Sequence, residues 1–336
     1  MRMLPRDFTD ADVAGLRVLC IPSGIGEFQW MATKLHNVHR LSGERFAIIA
    51  LDGAPRRLHQ FAEMHPFVEA FGWATFDYSQ IREFQKFNRL NTWARIRELF
   101  GLGQMCMLAC NPALEAGTHL SNWLPDLPTT YTYPVNFTDK HIAESMRVLP
   151  VKNGTFNIGI SCASYRGAAA WHTWQHDEWV KFLHFIARDF PDANFVLLGG
   201  SWDDLTVSMF DEPGLRFQTD SKTGTPPIGT LSFGGAMATL VSCDAYIGFS
   251  SGLGHVAAHL CNTPVFMLWP DHEQILSRTW CNPKLLENGK YVPSQWNSPE
   301  EVYASAYTFL HQAYSVRGEK TLWQSQGNLA QSGSPL

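Results

Sequence analysis

A run of small, uncharged residues follows the apolar segment Ala245–Phe249 and precedes a segment of helical character that begins at His255. The run consists of Ser250, Ser251, Gly252, Leu253 and Gly254. The first backbone N–H groups of a helix have no partner within the helix, and the helix dipole makes this end partly positive. Glycine also lets a ligand oxygen approach the backbone closely. The pattern therefore predicts an anion site made by the backbone, and a pyrophosphate is its natural occupant.

Two histidines, His255 and His259, lie one turn apart on this predicted helix. The zinc-protease pattern needs a glutamate where Val256 stands, and no third ligand is apparent. We therefore expect both histidines to lie in the core or to support the loop, and we include His255 among the candidate ligand-binding residues. No metal is expected there.

A second loop, with the sequence SCASYRGAAAWHTW, leaves the apolar segment Phe156–Ser161. It offers a set of hydrogen-bond donors, namely Ser161, Ser164, Tyr165, Arg166 and His172. Such donors suit phosphate or hydroxyl groups, and an arginine can bind phosphate through two parallel hydrogen bonds, although a solvated arginine is the alternative. Trp171 and Trp174 are expected to pack rather than to stack on a ligand.

A glycine pair, Gly199 and Gly200, ends the next apolar segment, and Gly199 is the candidate ligand-binding residue there. Asp203 and Asp204 follow this turn. A helix N-cap is the favoured role for these carboxylates, because Asp accepts hydrogen bonds from first-turn amides. A contact with a ribose or a base is the alternative.

A third loop lies near the N-terminus in the sequence IPSGIGEFQW. Ser23, Gly24 and Gly26 can turn the backbone toward a ligand, and Glu27 falls at the start of a helix. As a dinucleotide-binding fingerprint this loop fails, since Gln29 stands at the third glycine of GxGxxG. Glu27 is a candidate catalytic residue, and the alternative is that it complements the helix dipole.

The short acidic and cysteine-containing sequences also give no convincing metal site. Asp10 and Asp12 form a DxD that precedes the first predicted strand, where a solvated surface is expected. Cys106 and Cys110 lie in a strand-like run, about 13 Å apart at roughly 3.3 Å per residue, which is too far to chelate one ion. No metal and no other cofactor are therefore expected.

The segments that hold these loops alternate between strand and helix patterns. The first half reads as strand, helix, strand, helix and strand over Leu16–Ile21, Glu27–Val38, Arg45–Leu51, Ile81–Phe100 and Met105–Ala109. The second half repeats this order over Phe156–Ser161, Asp177–Phe190, Phe195–Leu198, Leu231–Val241, Ala245–Phe249, His255–Cys261 and Val265–Trp269. Strands that are apolar on both faces are typical of parallel sheets covered by helices. We therefore predict an α/β protein with two Rossmann-like, doubly wound domains facing a central cleft.

The predicted domains are residues 1–150, which carry the third loop, and residues 151–298, which carry the run Ser250–Gly254 and the second loop. A helix over residues 299–315, capped by Ser298, is expected to pack back across the domain boundary. Residues 316–336 are polar and of low complexity, so we predict a flexible tail.

The composition excludes several classes of protein. A net charge of -5 and a hydrophobic content of 45% indicate a folded chain without general electrostatic affinity for nucleic acid or anionic membranes. The apolar runs are far shorter than the roughly 20 residues that span a bilayer. The cysteine count is seven, and several of these residues lie in apolar runs, which suits buried thiols in a reducing compartment. A cytoplasmic location is expected, and the oligomeric state is left open.

Taken together, the three loops resemble those of glycosyltransferase family 9, the heptosyltransferase group. CDAYIGFSSGLGHVAAHLCNTPVFMLW resembles the family's donor loop, and IPSGIGEFQWMATKL resembles its N-terminal glycine turn with the acidic residue that follows. ISCASYRGAAAWHTW and FVLLGG resemble segments of its donor domain. The resemblance extends over about Leu16–Trp269 and is weakest in the middle.

The resemblance implies a GT-B fold and metal-independent, inverting transfer from a nucleoside-diphosphate sugar, with ADP-heptose among the possible donors. Glu27 would act as the base toward a hydroxyl of a glycan or lipopolysaccharide-type acceptor. The donor would lie against the loop Ser250–Gly254 with His255, and against Ser161, Arg166, His172 and Gly199.

Two positions depart from the family pattern and leave alternatives open. Ser250 stands where the family usually has Asp, and His172 stands where a Lys commonly precedes the tryptophan. The alternatives are a viral-type enzyme that glycosylates hydroxylated bases in DNA, a non-catalytic nucleotide-sugar-binding protein and, least favoured, an NAD-type oxidoreductase.

Overall fold

The computed structural model describes residues 1–6, 8–21, 24–50, 55–73, 106–108, 130–131, 133, 135–149, 154–162, 174–200, 203–270, 277–278 and 281–317. The chain divides into two compact units, Met1–Asn136 and Phe137–Leu336. Each unit contains one parallel five-stranded sheet with helices, as the apolar strand runs predict. The predicted fold class, two Rossmann-like α/β domains, is therefore confirmed. The predicted cleft between the domains stays a prediction.

The first unit is built on a sheet with the strand order β1-β4-β3-β2-β5. Its strands are β1 (Arg2–Met3), β2 (Arg17–Ile21), β3 (Phe46–Ala50), β4 (Val68–Trp73) and β5 (Cys106–Leu108). Its described helices are a 3-10 turn (Asp10–Val13), α1 (Ile25–Ser42) and α2 (Pro55–Ala62). The predicted helix Ile81–Phe100 lies outside the described residues. The predicted strands near residues 16, 45 and 105 are all present.

Helix α1 buries the apolar face that its sequence spacing predicts. Phe28, Met31, Leu35 and Val38 recur every three or four residues, and each is at most 7% exposed. The helix ends at Gly43, whose φ of 70° is left-handed and whose N–H donates to the carbonyl of His39. The spacing and the glycine stop together fix the length of this helix.

The second unit is built on a sheet with the order β10-β9-β8-β6-β7. Its strands are β6 (Phe156–Ser161), β7 (Ala193–Leu197), β8 (Ala245–Phe249), β9 (Val265–Trp269) and β10 (Tyr291–Gln295). Its described helices are α3 (Asp139–Val148), α4 (His176–Asp189), α5 (Asp204–Ser208), α6 (Phe233–Ser242), α7 (Gly252–Leu260), α8 (Pro283–Glu287) and α9 (Pro299–Ser315). Strand β8 lies between β6 and β9, so its carboxyl end is at the centre of the unit.

The two outer strands of the second sheet have different neighbours. On β7, the N–H of Phe195 donates to the carbonyl of Arg216, and the N–H of Gln218 donates to Phe195. Strand β10 contains Pro293, opposite Met267 of β9. The sequence patterns miss β10, because its residues Tyr291–Gln295 include a proline and two polar side chains and form no apolar run.

The boundary between the units falls before Phe137. The sequence analysis places it after residue 150. Helix α3 accounts for the difference, because it packs on α6 of the second unit. Arg147 of α3 also binds both carboxylate oxygens of the fully buried Asp220. This packing and the ion pair with Asp220 place α3 in the second unit.

Helix α9 packs on α4 and on β10 within the second unit. Its start matches the sequence prediction, since Ser298 accepts from the N–H of Glu301 and Pro299 is the first helical residue. Its predicted passage across the domain boundary stays a prediction. The predicted tail lies outside the described residues beyond Arg317.

Candidate functional site

The start of helix α7 lies directly after β8 and comes earlier than the sequence predicts. The helix begins at Gly252 instead of His255, and Ser251 is its extended N-cap with φ −133° and ψ 170°. The first intrahelical hydrogen bond runs from the N–H of His255 to the carbonyl of Ser251, at 2.9 Å. The predicted loop is therefore reduced to Ser250 and Ser251, and Gly252, Leu253 and Gly254 form the first turn.

Ser251 occupies the N-cap without capping the helix. A serine at this position usually accepts a hydrogen bond from a first-turn amide. Here the side chain makes no such bond, and its hydroxyl is buried without a hydrogen-bond partner. Within the described part of the chain, the amides of Gly252, Leu253 and Gly254 likewise have no bonded acceptor. This leaves several donors together at the positive end of a helix, which favours an anion.

The glycine at 254 serves the packing of α7 on the sheet. A Cβ there would lie 2.9 Å from Cε of Met267 and 3.0 Å from the carbonyl oxygen of Phe249. The sequence analysis assigns this glycine to the close approach of a ligand, whereas the space is filled by β8 and β9. The role of Gly254 is thus to bring the helix start close to the strand ends.

Ser250 and His255 are both buried beside the helix start, at 7% exposure each. The N–H of Ser250 donates to the carbonyl of Leu268 at 3.0 Å, which ties it to β9. The His255 ring packs edge-on against Trp269, with ring centroids 5.5 Å apart. Burial lowers the pKa of His255 to about 4, so this side chain is neutral near pH 7. An anion at this site would be held by dipoles and not by the charge of His255.

Ser161 ends β6 beside this helix start, and a tyrosine that the sequence analysis did not single out lies next to it. In the register of β6 and β8, Ser161 is opposite Gly248. The hydroxyls of Ser161 and Ser251 lie close enough to Tyr246 to act on its pKa, which burial raises. The sequence signal was the Tyr-x-Gly spacing within a buried strand, where a glycine makes room for a neighbouring side chain.

The glycine turn after β7 is closed by a helix cap. Gly199 has a φ of 150° and Gly200 accepts from the N–H of Asp203. Asp203 caps α5, since its carboxylate accepts from the N–H and the hydroxyl of Thr206 at 2.9 and 2.6 Å. The favoured prediction for Asp203, a helix N-cap, is confirmed.

Trp174 packs in the core, as predicted, and does not form an exposed platform. It is 2% exposed, donates from Nε1 to the carbonyl of Asn297 at 2.7 Å, and contacts Trp179 and Trp296. The other candidates on the loop before it, Arg166 and His172, lie outside the described residues, as does Trp171. Their predicted roles stay predictions.

The candidate residues of the first unit lie at the start of α1, after β2. Gly24 is the N-cap, with φ −77° and ψ 135°, Gly26 is buried, and Glu27 is the third helical residue. Ser23 lies outside the described residues. Since β2 is a central strand of a parallel sheet, the start of α1 is at the strand-end edge where ligands of α/β sheets bind.

A network of buried polar side chains holds α1 in place at Gln29, two residues beyond Glu27. The Tyr133 hydroxyl lies 3.1 Å from Oε1 of Gln29 and 3.1 Å from Nε2 of His65, and His65 Nδ1 donates to the carbonyl of Phe61 at 2.8 Å. All three side chains are at most 1% exposed. Burial lowers the pKa of His65 to about 3, so its ring is neutral. This hydrogen-bonded network fixes the rotation of α1 about its axis and so positions the backbone of Glu27.

In the part of the chain that the structure describes, no group of three or more His, Cys, Asp or Glu side chains is arranged to hold a metal ion. Over the same residues, no helix combines the length and the apolar character needed to cross a bilayer.

Two solved structures share the fold over most of this chain. E. coli ADP-heptose lps heptosyltransferase II gives a TM-score of 0.58 at 14% identity, covering 88% of this chain and 99% of that one. A glycosyl transferase of family 9 from Veillonella parvula gives a TM-score of 0.58 at 12% identity, covering 89% and 98%. No protein-family model and no curated protein sequence matches the chain. Identities this low show a common fold, so the predicted pair of Rossmann-like α/β domains is confirmed, and the predicted family stays a prediction.

Proposed function

We propose that this chain is an inverting, metal-independent glycosyltransferase. It moves a sugar from a nucleoside-diphosphate sugar, with an ADP-heptose-like donor as a candidate, to a hydroxyl of a glycan or lipopolysaccharide-type acceptor. The observation that carries the proposal is the uncapped first turn of α7 at the end of β8, where neither the buried Ser251 hydroxyl nor the first-turn amides have a hydrogen-bond partner among the described residues.

The chemistry of this helix start favours a diphosphate over a sugar or a cation. Its donors are backbone amides and hydroxyls, and the helix dipole adds a partial positive charge. Fixed donors of this kind stabilise the charge that develops on a leaving diphosphate without having to reorganise. His255 is neutral near pH 7, so it contributes no cationic charge. In the proposal, Arg166 and His172 supply further donors to the phosphates.

Glu27 is the proposed base. It takes the proton of the acceptor hydroxyl, the oxygen forms a bond to the anomeric carbon from the side opposite the diphosphate, and the bond from that carbon to the phosphate oxygen breaks. The diphosphate leaves with the electron pair, so the configuration at carbon inverts. Base catalysis of this kind typically contributes about 100- to 10,000-fold.

A donor screen tests the class of ligand. We expect at least one of the ADP-, GDP- or UDP-sugars to raise the melting temperature of the full chain, because a ligand at 100 times its dissociation constant stabilises by about 2.7 kcal/mol. A shift given only by a CMP-sugar, which carries a single phosphate, would contradict the diphosphate donor. The shift should persist with EDTA present. Loss of the shift with EDTA would contradict metal independence, and the absence of a shift with every donor would contradict the function itself.

The variant Glu27→Gln tests the base. We expect transfer to fall by at least about 100-fold while the melting shift given by the donor is unchanged, because the amide is isosteric and cannot take a proton. The matched control is Glu44→Gln, just beyond the C-cap of the same helix, where Glu44 pairs with Arg17. Equal turnover by Glu27→Gln and the unsubstituted chain would exclude Glu27 as the base.

A further inference from the structure

The hydroxyl of Tyr246 is held at the carboxyl end of β8 by the absence of a side chain at Gly248. A Cβ at position 248 would lie 2.5 Å from this hydroxyl and 2.7 Å from Cζ of the ring. The ring therefore lies across Gly248, toward the end of the strand. Tyr246 is fully buried, and the strand register places Gly248 opposite Ser161. With a glycine two residues after Tyr246, the phenol hydroxyl therefore lies at the carboxyl end of β8, where α7 begins.

Among the residues that the structure describes, this hydroxyl has no bonded partner. Ser161 and Ser251 lie near enough to lower its pKa, yet neither forms a hydrogen bond of good geometry with it, and the Ser251 hydroxyl is likewise unbonded there. The carboxylate of Asp203 also acts on the pKa of Tyr246, but both of its oxygens accept hydrogen bonds from Thr206. Buried polar groups in proteins are nearly always bonded, so two adjacent unbonded hydroxyls point to a missing acceptor.

The charge state of Tyr246 suits a donor and not a base. Burial raises its pKa, and the two serine hydroxyls lower it by less. The phenol therefore keeps its proton near pH 7. Its one proton can go to Ser251, whose oxygen is not used to cap α7 and whose own proton is then directed elsewhere.

We propose that Tyr246 is a positioning residue that acts through Ser251. When the donor is bound, Tyr246 donates to Oγ of Ser251, and Ser251 donates its single proton to an oxygen of the diphosphate beside the first-turn amides of α7. The inference rests on the proposed function, because it takes the ligand of this helix start to be a diphosphate. Hydrogen bonds to charged acceptors are about twice as strong as neutral ones, so orienting one such donor affects affinity.

The test is a double-substitution cycle on the full chain, measured by calorimetric titration with inorganic pyrophosphate and with ADP, GDP and UDP. We expect Ser251→Ala to weaken binding about 10-fold or more, and Tyr246→Phe to weaken it by about 3- to 10-fold. Tyr246→Phe in the Ser251→Ala background should cause no further loss, because the effect of the phenol passes through the serine. Independent, additive losses would overturn the proposal, as would unchanged affinity of Tyr246→Phe.

Folding and binding are separated by a stability measurement. Tyr246→Phe removes a buried hydroxyl that has no acceptor, so its melting temperature should equal or exceed that of the unsubstituted chain. The control is Tyr303→Phe, which loses a 2.6 Å hydrogen bond to Asp189 and should lower the melting temperature without changing affinity. A lower melting temperature for Tyr246→Phe together with equal affinity would assign the hydroxyl a purely structural role.

The two proposals fail in different ways. If the unsubstituted chain binds no diphosphate, the Tyr246 inference and the diphosphate site are both wrong. If it binds diphosphates, shows the coupled losses and transfers no sugar to any acceptor, the positioning role is supported and the transferase function is contradicted.

Discussion

At the scale of single residues, two buried histidines contribute to how the protein's stability depends on pH. His255 in the second unit and His65 in the first have pKa values of about 4 and about 3, because burial disfavours the charged ring. In the unfolded chain a histidine titrates near 6.5. Below that pH the unfolded state therefore binds protons that the folded state excludes.

We expect the free energy of unfolding to fall as the pH falls from about 6.5 toward 4, with each histidine contributing a slope of up to about 1.4 kcal/mol per pH unit. His255→Gln should reduce this slope, since glutamine does not titrate. Urea unfolding between pH 5 and 7 measures it. An unchanged slope in His255→Gln would show that the ring has the same pKa in the folded protein as in the unfolded chain.

Residue types in the sequence predict part of the site at this scale. The capping role of Asp203 follows from an acidic residue after a glycine turn, and the packing of Trp174 follows from its aromatic character. Tyr246 was missed, because a tyrosine in an apolar run is typical of a core strand. Only the atomic separation from Gly248 shows that its hydroxyl reaches the strand end.

At the scale of elements, the contact between α3 and α6 depends on two adjacent glycines. A Cβ on Gly234 would lie 2.4 Å from the His141 ring, and one on Gly235 would lie 2.0 Å from Oε2 of Glu144. The same carboxylate accepts from the N–H of Ser232, the N-cap of α6, at 3.0 Å. The helices are therefore close enough for a side chain of one to cap the other.

Gly235→Ala should destabilise the protein by about 1–3 kcal/mol, because the added methyl group displaces the Glu144 carboxylate from the cap. The measurement is chemical unfolding of a double-mutant cycle with Glu144→Ala. In the Glu144→Ala background the alanine at position 235 should cost less, since the displaced carboxylate is gone. Equal costs in both backgrounds would contradict this account of the interface.

Element types were easier to predict from the sequence than element ends. The strands near the site were found because they are apolar on both faces, whereas β10 was missed because Pro293 and its polar neighbours form no such run. The start of α7 was placed three residues late, since glycines count against a helix in propensity. In the first turn that penalty is offset by close packing of Gly254 on β8 and β9, a tertiary effect that propensity does not contain.

At the scale of the whole molecule, the division before Phe137 has a testable consequence. Helix α3 belongs to the second unit, and its Arg147 is the partner of the buried Asp220. Burial acts to raise the pKa of Asp220, but hydrogen bonds from Arg147 and from the N–H of Lys222 lower it. A fragment that omits α3 would leave this carboxylate without its cation.

A fragment of residues 137–336 should fold cooperatively and retain the melting shift given by the donor, because it keeps the sheet, its helices and α7. A fragment of residues 151–336 should be less stable or insoluble. Breaking a buried ion pair costs about 3–5 kcal/mol, and less here because the Arg147 side chain is 32% exposed. Thermal unfolding followed by circular dichroism compares the two, and equal stability would favour the boundary at residue 150.

The outer strands of the second sheet also determine how the protein behaves in concentrated solution. The N–H of Trp296 donates to β9, so by the two-residue alternation of a strand the backbone nitrogen of Pro293 faces away from the sheet, where a proline has no hydrogen to donate. At the opposite margin, residues 216–218 occupy the groups of Phe195 that would otherwise be open. A strand from another molecule would therefore lack a backbone donor at Pro293 if it paired with β10. If it approached β7, it would meet residues 216–218, which already bond to Phe195. This unit is thus protected against growth by edge-to-edge pairing, the route by which exposed sheets aggregate.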